Sequence, residues 1–214
     1  MYDSDKKFTF PFDTCEKPNK TGFAQPWSTL VNILMCVMIF YYFLNSNTFY
    51  SGLFLISILF FEIMHAFSHS IHIPGLTQYY LTHVFGLFTI ITFGFMLYNY
   101  TNVFPKMQYL IIIFIIFIID IYILFKNFGF IYNILTYFVI FLLTLCVYYP
   151  YMSPSIKRNL LYVAGLTLII YAIEYNELMN CNWMLERFHF PYHIFVEMTG
   201  FVAIYLLCST FYKI

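Results

Sequence analysis

Seven stretches of this chain are almost wholly apolar, and each is close to the length that crosses a bilayer. A helix needs roughly 20 apolar residues to span the hydrocarbon. The runs are Trp27–Leu44, Tyr50–His72, Tyr80–Tyr98, Met107–Phe125, Phe130–Tyr148, Asn159–Ile173 and Phe190–Tyr212. Short polar segments separate them: Asn45 to Thr48, Pro74-Gly75, Thr101 to Pro105, Lys126-Asn127 and Ser153 to Arg158. Lipid offers the backbone no hydrogen-bonding partner, so runs of this kind must satisfy their own N–H and C=O groups as helices. The expected fold is an all-α polytopic membrane protein. A polar N-terminal tail over residues 1–26 precedes a seven-helix transmembrane domain over 27–214.

Composition excludes the soluble alternative. Only 9% of the 214 residues are charged, against about 25% in soluble domains. Lys plus Arg and Asp plus Glu number ten each, so no basic patch argues for nucleic acid. The first apolar run exceeds the roughly 7–15 residues of a signal-peptide core and reads as a true span. The expected setting is therefore the lipid bilayer.

Seven spans put the two termini on opposite sides of the membrane. Counting basic residues does not decide which side is cytoplasmic, because both sides receive them. Cys15 and Cys181 fall outside the runs on the N-terminal side, as does the sequon Asn19-Lys20-Thr21. Two readings stay open. One is a disulfide between Cys15 and Cys181, with that side facing an oxidising compartment. The other is two unpaired thiols and an unused sequon. Cys36, Cys146 and Cys208 lie within runs and read as small packing residues.

The six histidines are more informative: His65, His69, His72, His83, His189 and His193. At about 100° per residue, positions 65, 69 and 72 share one helix face, within roughly 60°. Glu62 borders that stripe and Ser68 flanks it. His189 and His193 are four apart, with Glu186 one turn before and Glu197 one turn after. Alternating spans bring all six histidines to the same half of the membrane, on the N-terminal side. Ionisable groups at membrane depth are costly and mark interior or water-filled sites. Neutral imidazoles flanked by carboxylates suit zinc, which keeps one position open when the site is catalytic. Neighbouring carboxylates would orient the imidazoles or serve as general base. The competing reading is a set of histidines that merely satisfy one another between helices. Asp120, in the middle of the fourth run, has no obvious partner in the sequence and is given no role.

Three segments resemble the alkaline ceramidases, within the wider superfamily of seven-helix membrane hydrolases that includes the adiponectin-receptor type. Asp13-Thr-Cys15-Glu16 followed by Gln25-Pro-Trp27-Ser-Thr-Leu-Val-Asn32 is similar to the family's lead-in to its first helix. Ser68-His-Ser-Ile-His72 is similar to its Ser-x-x-x-His. Glu177-Leu-Met-Asn-Cys181, leading to His189-Phe-Pro-Tyr-His193, resembles its acidic-x-x-x-Cys element and His-x-x-x-His. The resemblance implies a zinc-dependent amidohydrolase acting on ceramide-like lipids. It implies zinc ligands at His72, His189 and His193, oxyanion stabilisation by Ser68, and a Cys15–Cys181 disulfide. A calcium site at Asp13, Glu16 and Asn19 is implied more weakly, since Gln25 stands where the family has a carboxylate. The N-terminus would be lumenal or extracellular, in an endomembrane or the plasma membrane.

The chain departs from the family at His83, where an Asp is expected. Glu62 or Glu197 would then stand in as base, or His83 would act as base or as a further ligand. The register is open too, because His65 and His69 present the same spacing as the later pair. Other classes remain in view: a receptor or structural protein with a closed structural metal, a di-iron lipid hydroxylase or desaturase, and a haem carrier with axial histidines. A retinal-type protein is excluded, because the last run has no lysine before Lys213.

Overall fold

The computed structural model describes residues 16, 19, 21–71, 76–126, 130–188 and 192–214. Seven α-helices follow in order: α1 Pro26–Leu44, α2 Phe49–Ser70, α3 Leu76–Thr101, α4 Met107–Lys126, α5 Phe130–Tyr148, α6 Pro154–Phe188 and α7 Ile194–Phe211. No strand occurs among the described residues. Six of these helices are long and apolar enough to cross a membrane, and a shorter apolar stretch, Leu135–Tyr151, runs from within α5 through the 3-10 turn that follows it.

Local chemistry sets the helix ends. Pro26 occupies the first turn of α1, where its missing N–H costs nothing. Glu16 completes that end: its carboxylate accepts from the Trp27 and Ser28 N–H groups at 2.8 and 3.0 Å and from the Ser28 hydroxyl. A carboxylate at a helix N-terminus fills orphan donors and complements the helix dipole. The Thr48 side chain caps α2 by accepting from Ser51 N–H at 3.1 Å. At the far end of α2, the carbonyls of His69 and Ser70 accept from the N–H groups of Gln25 and Ala24. The segment entering α1 is thereby clamped to the histidine end of α2. Asn102, at a φ of 53°, ends α3 in the left-handed region.

Several boundaries differ from expectation, among them the start of α3, at Leu76 rather than Tyr80, and of α6, at Pro154 rather than Asn159. The sixth helix continues well past Ile173, to Phe188. Residues 174–188 contain no glycine or proline, so nothing breaks the helix where hydropathy falls; hydropathy reports the lipid, not the helix. The helix bends at Asn180, with φ −127° and ψ 18°, beside a 2.7 Å hydrogen bond from its side-chain amide to Asn176. The last helix starts later than expected, after His193 rather than at Phe190.

Packing closes a ring: α1 against α2, α2 against α3, α3 against α5, α5 against α6, α6 against α7, and α7 back against α1. Helix α4 packs chiefly on α5, outside the ring, and exposes Phe114, Ile115, Ile118 and Tyr122. Such a surface suits acyl chains. One half of the ring is filled by apolar side chains that include Ile39, Phe54, Phe93, Leu145, Leu160 and Phe211. Phe54, Phe93 and Phe211 meet at centroid separations of 5.4, 5.7 and 6.1 Å. Between helices already in lipid, such close packing and interhelical hydrogen bonds hold the bundle, rather than expulsion from water. Ser57 and Thr92 supply one such bond, 2.8 Å, between α2 and α3.

Candidate metal centre

Above this apolar floor, the ring encloses a cavity of about 300 Å³. Its wall draws on six helices: Met35 from α1, His65 from α2, Phe93 from α3, Tyr137 from α5, Glu174 from α6 and Ala203 from α7. Phe54, Phe93 and Phe141 make one region apolar. Glu62, His65, His69, His193 and Glu197 make the other polar.

The donors converge in the polar region. His65 and His69, one turn apart on α2, bring their Nε2 atoms to 3.0 Å. Glu197, in the first turn of α7, places Oε1 3.3 Å from His69 Nε2 and 3.8 Å from His65 Nε2. These three are the group of mutually close metal-type ligands among the described residues. His193, at the cap of α7, holds Nε2 3.1 Å from the same Glu197 oxygen.

The outer hydrogen bonds settle which atoms face inward. Gln25 donates its amide N–H to the Glu16 carbonyl, which turns its amide oxygen toward His69 Nδ1 at 2.5 Å. His69 Nδ1 therefore carries the proton, and Nε2 presents a bare lone pair. Glu177 accepts from His193 Nδ1 at 2.8 Å, so His193 Nε2 is likewise bare in the neutral ring. His65 has no good tautomer. A proton on Nε2 satisfies His69 but turns a bare Nδ1 toward the Glu62 carboxylate, 3.6 Å away. A proton on Nδ1 leaves acceptors facing acceptors. Glu62 Oε2 and His65 Nδ1 are both buried without a hydrogen-bond partner.

Acceptors crowded together in a low dielectric repel unless a cation lies among them. Nitrogen and oxygen ligands about 2.0–2.1 Å from a tetrahedral zinc ion stand roughly 3.3–3.4 Å apart. The separations of 3.0, 3.3 and 3.8 Å bracket that value. The donor set thus fits zinc in number, type and spacing, with Gln25 and Glu177 as outer partners that fix the imidazole tautomers.

No protein-family model, curated protein or solved structure matches the chain.

The expected site residues are redistributed. His72 and His189 lie outside the described residues, as do Asp13 and Cys15. His65 and His69, the alternative register, form the cluster with Glu197, which sits among the ligands rather than behind them. His193 caps α7 rather than lying within it, and the expected pairing with His189 on one helix face falls outside the described residues. Ser68 is buried, with its hydroxyl turned back to the Met64 carbonyl at 2.8 Å, and it does not line the cavity. His83 lies apart from the cluster, bound to Asp120 at 2.7 Å; the partner that Asp120 lacked in the sequence is therefore on α3. Glu16 spends its carboxylate on the α1 cap, and Asn19 is exposed, near the Phe23 carbonyl. Cys36, Cys146 and Cys208 are free thiols, whereas Cys181 is disulfide-bonded, to a partner outside the described residues. Gln25 and Glu177 were missed as orienting partners, because their histidines are 44 and 16 residues away. The signals were Gln25 two residues before the first run and Glu177 four residues before Cys181.

Proposed function

We propose that the chain is a membrane-embedded, zinc-dependent amidohydrolase acting on ceramide-like lipids. The observation that carries the reading is the convergence of His65, His69 and Glu197 on the polar end of an otherwise apolar cavity. Three protein ligands leave a tetrahedral ion one open position, the pattern of catalytic zinc sites. Zinc bound there would activate water near neutral pH and polarise a carbonyl.

The chain's own groups supply the rest. Glu62 lines the cavity beside His65, and its Oε2 is buried with no hydrogen bond. With Glu197 among the ligands, Glu62 is the group placed to take a proton from the attacking water and pass it to the leaving amine. Phe54, Phe93 and Phe141 line the part of the cavity that would hold an acyl chain. The choice of amide over ester and the Cys15–Cys181 pairing follow from the resemblance, the seven-span count from the apolar runs, and a lumenal or extracellular N-terminus from the side on which Cys15, Cys181 and the sequon fall. The calcium site is the part of it that the Glu16 cap favours least.

A second reading has an observation of its own. His193 Nε2, 3.1 Å from Glu197, would as a fourth ligand close the site and make the metal structural, as in a receptor. A di-iron centre draws no support from a single group of three ligands among the described residues. The deciding experiment is hydrolysis by detergent-purified, zinc-loaded protein of ceramide, fatty-acyl amides and fatty-acyl esters. Amide cleavage that disappears in Glu62→Gln supports the hydrolase. No cleavage of any of them by fully loaded protein removes it.

A further inference from the structure

Gly200 lies inside α7, where a glycine needs a reason. In a helix interior it costs stability relative to alanine, because it has more backbone freedom to lose. The ordinary compensations do not apply. Its φ is not positive. A Cβ added to it would meet no atom within 4 Å, so no neighbouring helix presses on its backbone as in small-residue membrane contacts.

What the glycine faces is the cavity. Val196, Glu197, Gly200, Ala203, Ile204 and Leu207 all line it from α7. At about 100° per residue these six positions span about 120° of the helix, and Gly200 falls at the middle of that arc. The open space at its Cβ is therefore the interior of the cavity. Gly200 also stands early along the apolar arm. At about 1.5 Å per residue it lies about 4.5 Å beyond Glu197, and the wall continues to Leu207, about 15 Å from Glu197. Along α2 the wall runs from His65 to Phe54 over about 16 Å. The two walls agree on an arm of one length leading from the donor cluster to the apolar floor. A larger side chain at the centre of the α7 face would stand across its throat.

We infer that Gly200 is a specificity-determining residue. Its missing side chain lets the acyl chain of a bound lipid run past the donor cluster to the floor, and so sets the length of chain that the cavity accepts. This inference rests on the cavity being a lipid site, and it holds whether or not the bound lipid is cleaved.

The test is equilibrium binding to full-length, zinc-loaded protein in detergent, with Glu62→Gln as the host so that the probes stay intact. The probes are fluorescent butanoyl and dodecanoyl amides of one aromatic amine, and the host should bind both. Gly200→Leu in that host should leave the butanoyl affinity nearly unchanged and weaken the dodecanoyl probe by roughly tenfold or more, the penalty of forcing methylenes into filled space. Gly200→Ala, a better helix former, should shift the same ratio less. Gly165→Leu is the control: that glycine is exposed on α6, is equally open at its Cβ and does not line the cavity, so both affinities should stay as in the host. Zinc content should be unchanged throughout. An unaltered ratio in Gly200→Leu, equal loss of both probes, the same shift in Gly165→Leu, or no binding of either probe to the host overturns the inference. Absence of hydrolysis by the wild type, with the chain-length effect intact, strikes the enzyme reading and leaves this one standing.

Discussion

Replacing Gln25 with leucine should weaken metal binding without touching a ligand. The Gln25 amide oxygen accepts from His69 Nδ1 at 2.5 Å, and its amide N–H donates to the Glu16 carbonyl. Leucine fills similar space and removes both bonds. His69 would then lose the partner that pins its tautomer and aims Nε2 at the cavity. Loss of an orienting partner of this kind typically costs about 10- to 100-fold in metal affinity, or about 1.4–2.8 kcal/mol. Stability should also fall by about 1–3 kcal/mol, because a buried imidazole N–H and a buried carbonyl are left unpaired. Gln25→Glu separates the two effects: it keeps an acceptor for His69 but cannot donate to Glu16. Its zinc affinity should equal or exceed wild type, while its melting temperature drops. The assay is zinc competition against a chromophoric chelator in detergent, with thermal unfolding of each variant alongside. Wild-type zinc affinity in folded Gln25→Leu would refute the account of how His69 is oriented.

Further outcomes follow from the same geometry. Glu62→Gln should retain zinc and lose about 10²- to 10⁴-fold in amide hydrolysis; retained turnover would move the base elsewhere. Glu16→Ala should cost about 0.5–2 kcal/mol through the lost α1 cap, read as a lower melting temperature. Added calcium should not stabilise the wild type, and if it does so while leaving the variant unaffected, the cap account fails and a calcium site returns. Ser57→Ala should cost about 0.6 kcal/mol, the average for hydrogen bonds between membrane helices, measured by unfolding in mixed micelles. A loss of several kcal/mol would mean that the Ser57–Thr92 bond supports more than the α2–α3 contact.

Hydropathy made most helices legible, because lipid imposes both a length and a composition on whatever crosses it. It could not show where α6 ends, since the stretch past Ile173 is polar enough to leave the membrane yet holds nothing that breaks a helix. Helical periodicity placed His65 and His69 on one face with Glu62 beside them, and the structure uses that face. The role of Glu197 was not legible, because spacing alone does not distinguish a ligand from a base one turn away. His83 and Asp120 illustrate the larger limit. Their pairing depends on α4 packing outside the ring against α5, a topological fact that no local pattern carries. Gln25 and Glu177 were hidden for the same reason, as partners brought to their histidines by packing rather than by sequence proximity.

His65, His69 and Glu197 are the proposed metal ligands. Elemental analysis of detergent-purified protein never exposed to chelator tests that assignment most directly. The account predicts about one zinc per chain in the wild type, none in His65→Ala with His69→Ala, and an unchanged content in Tyr137→Phe. A folded wild type without metal would contradict it, leaving a polar core held by a protonated His193 between Glu177 and Glu197.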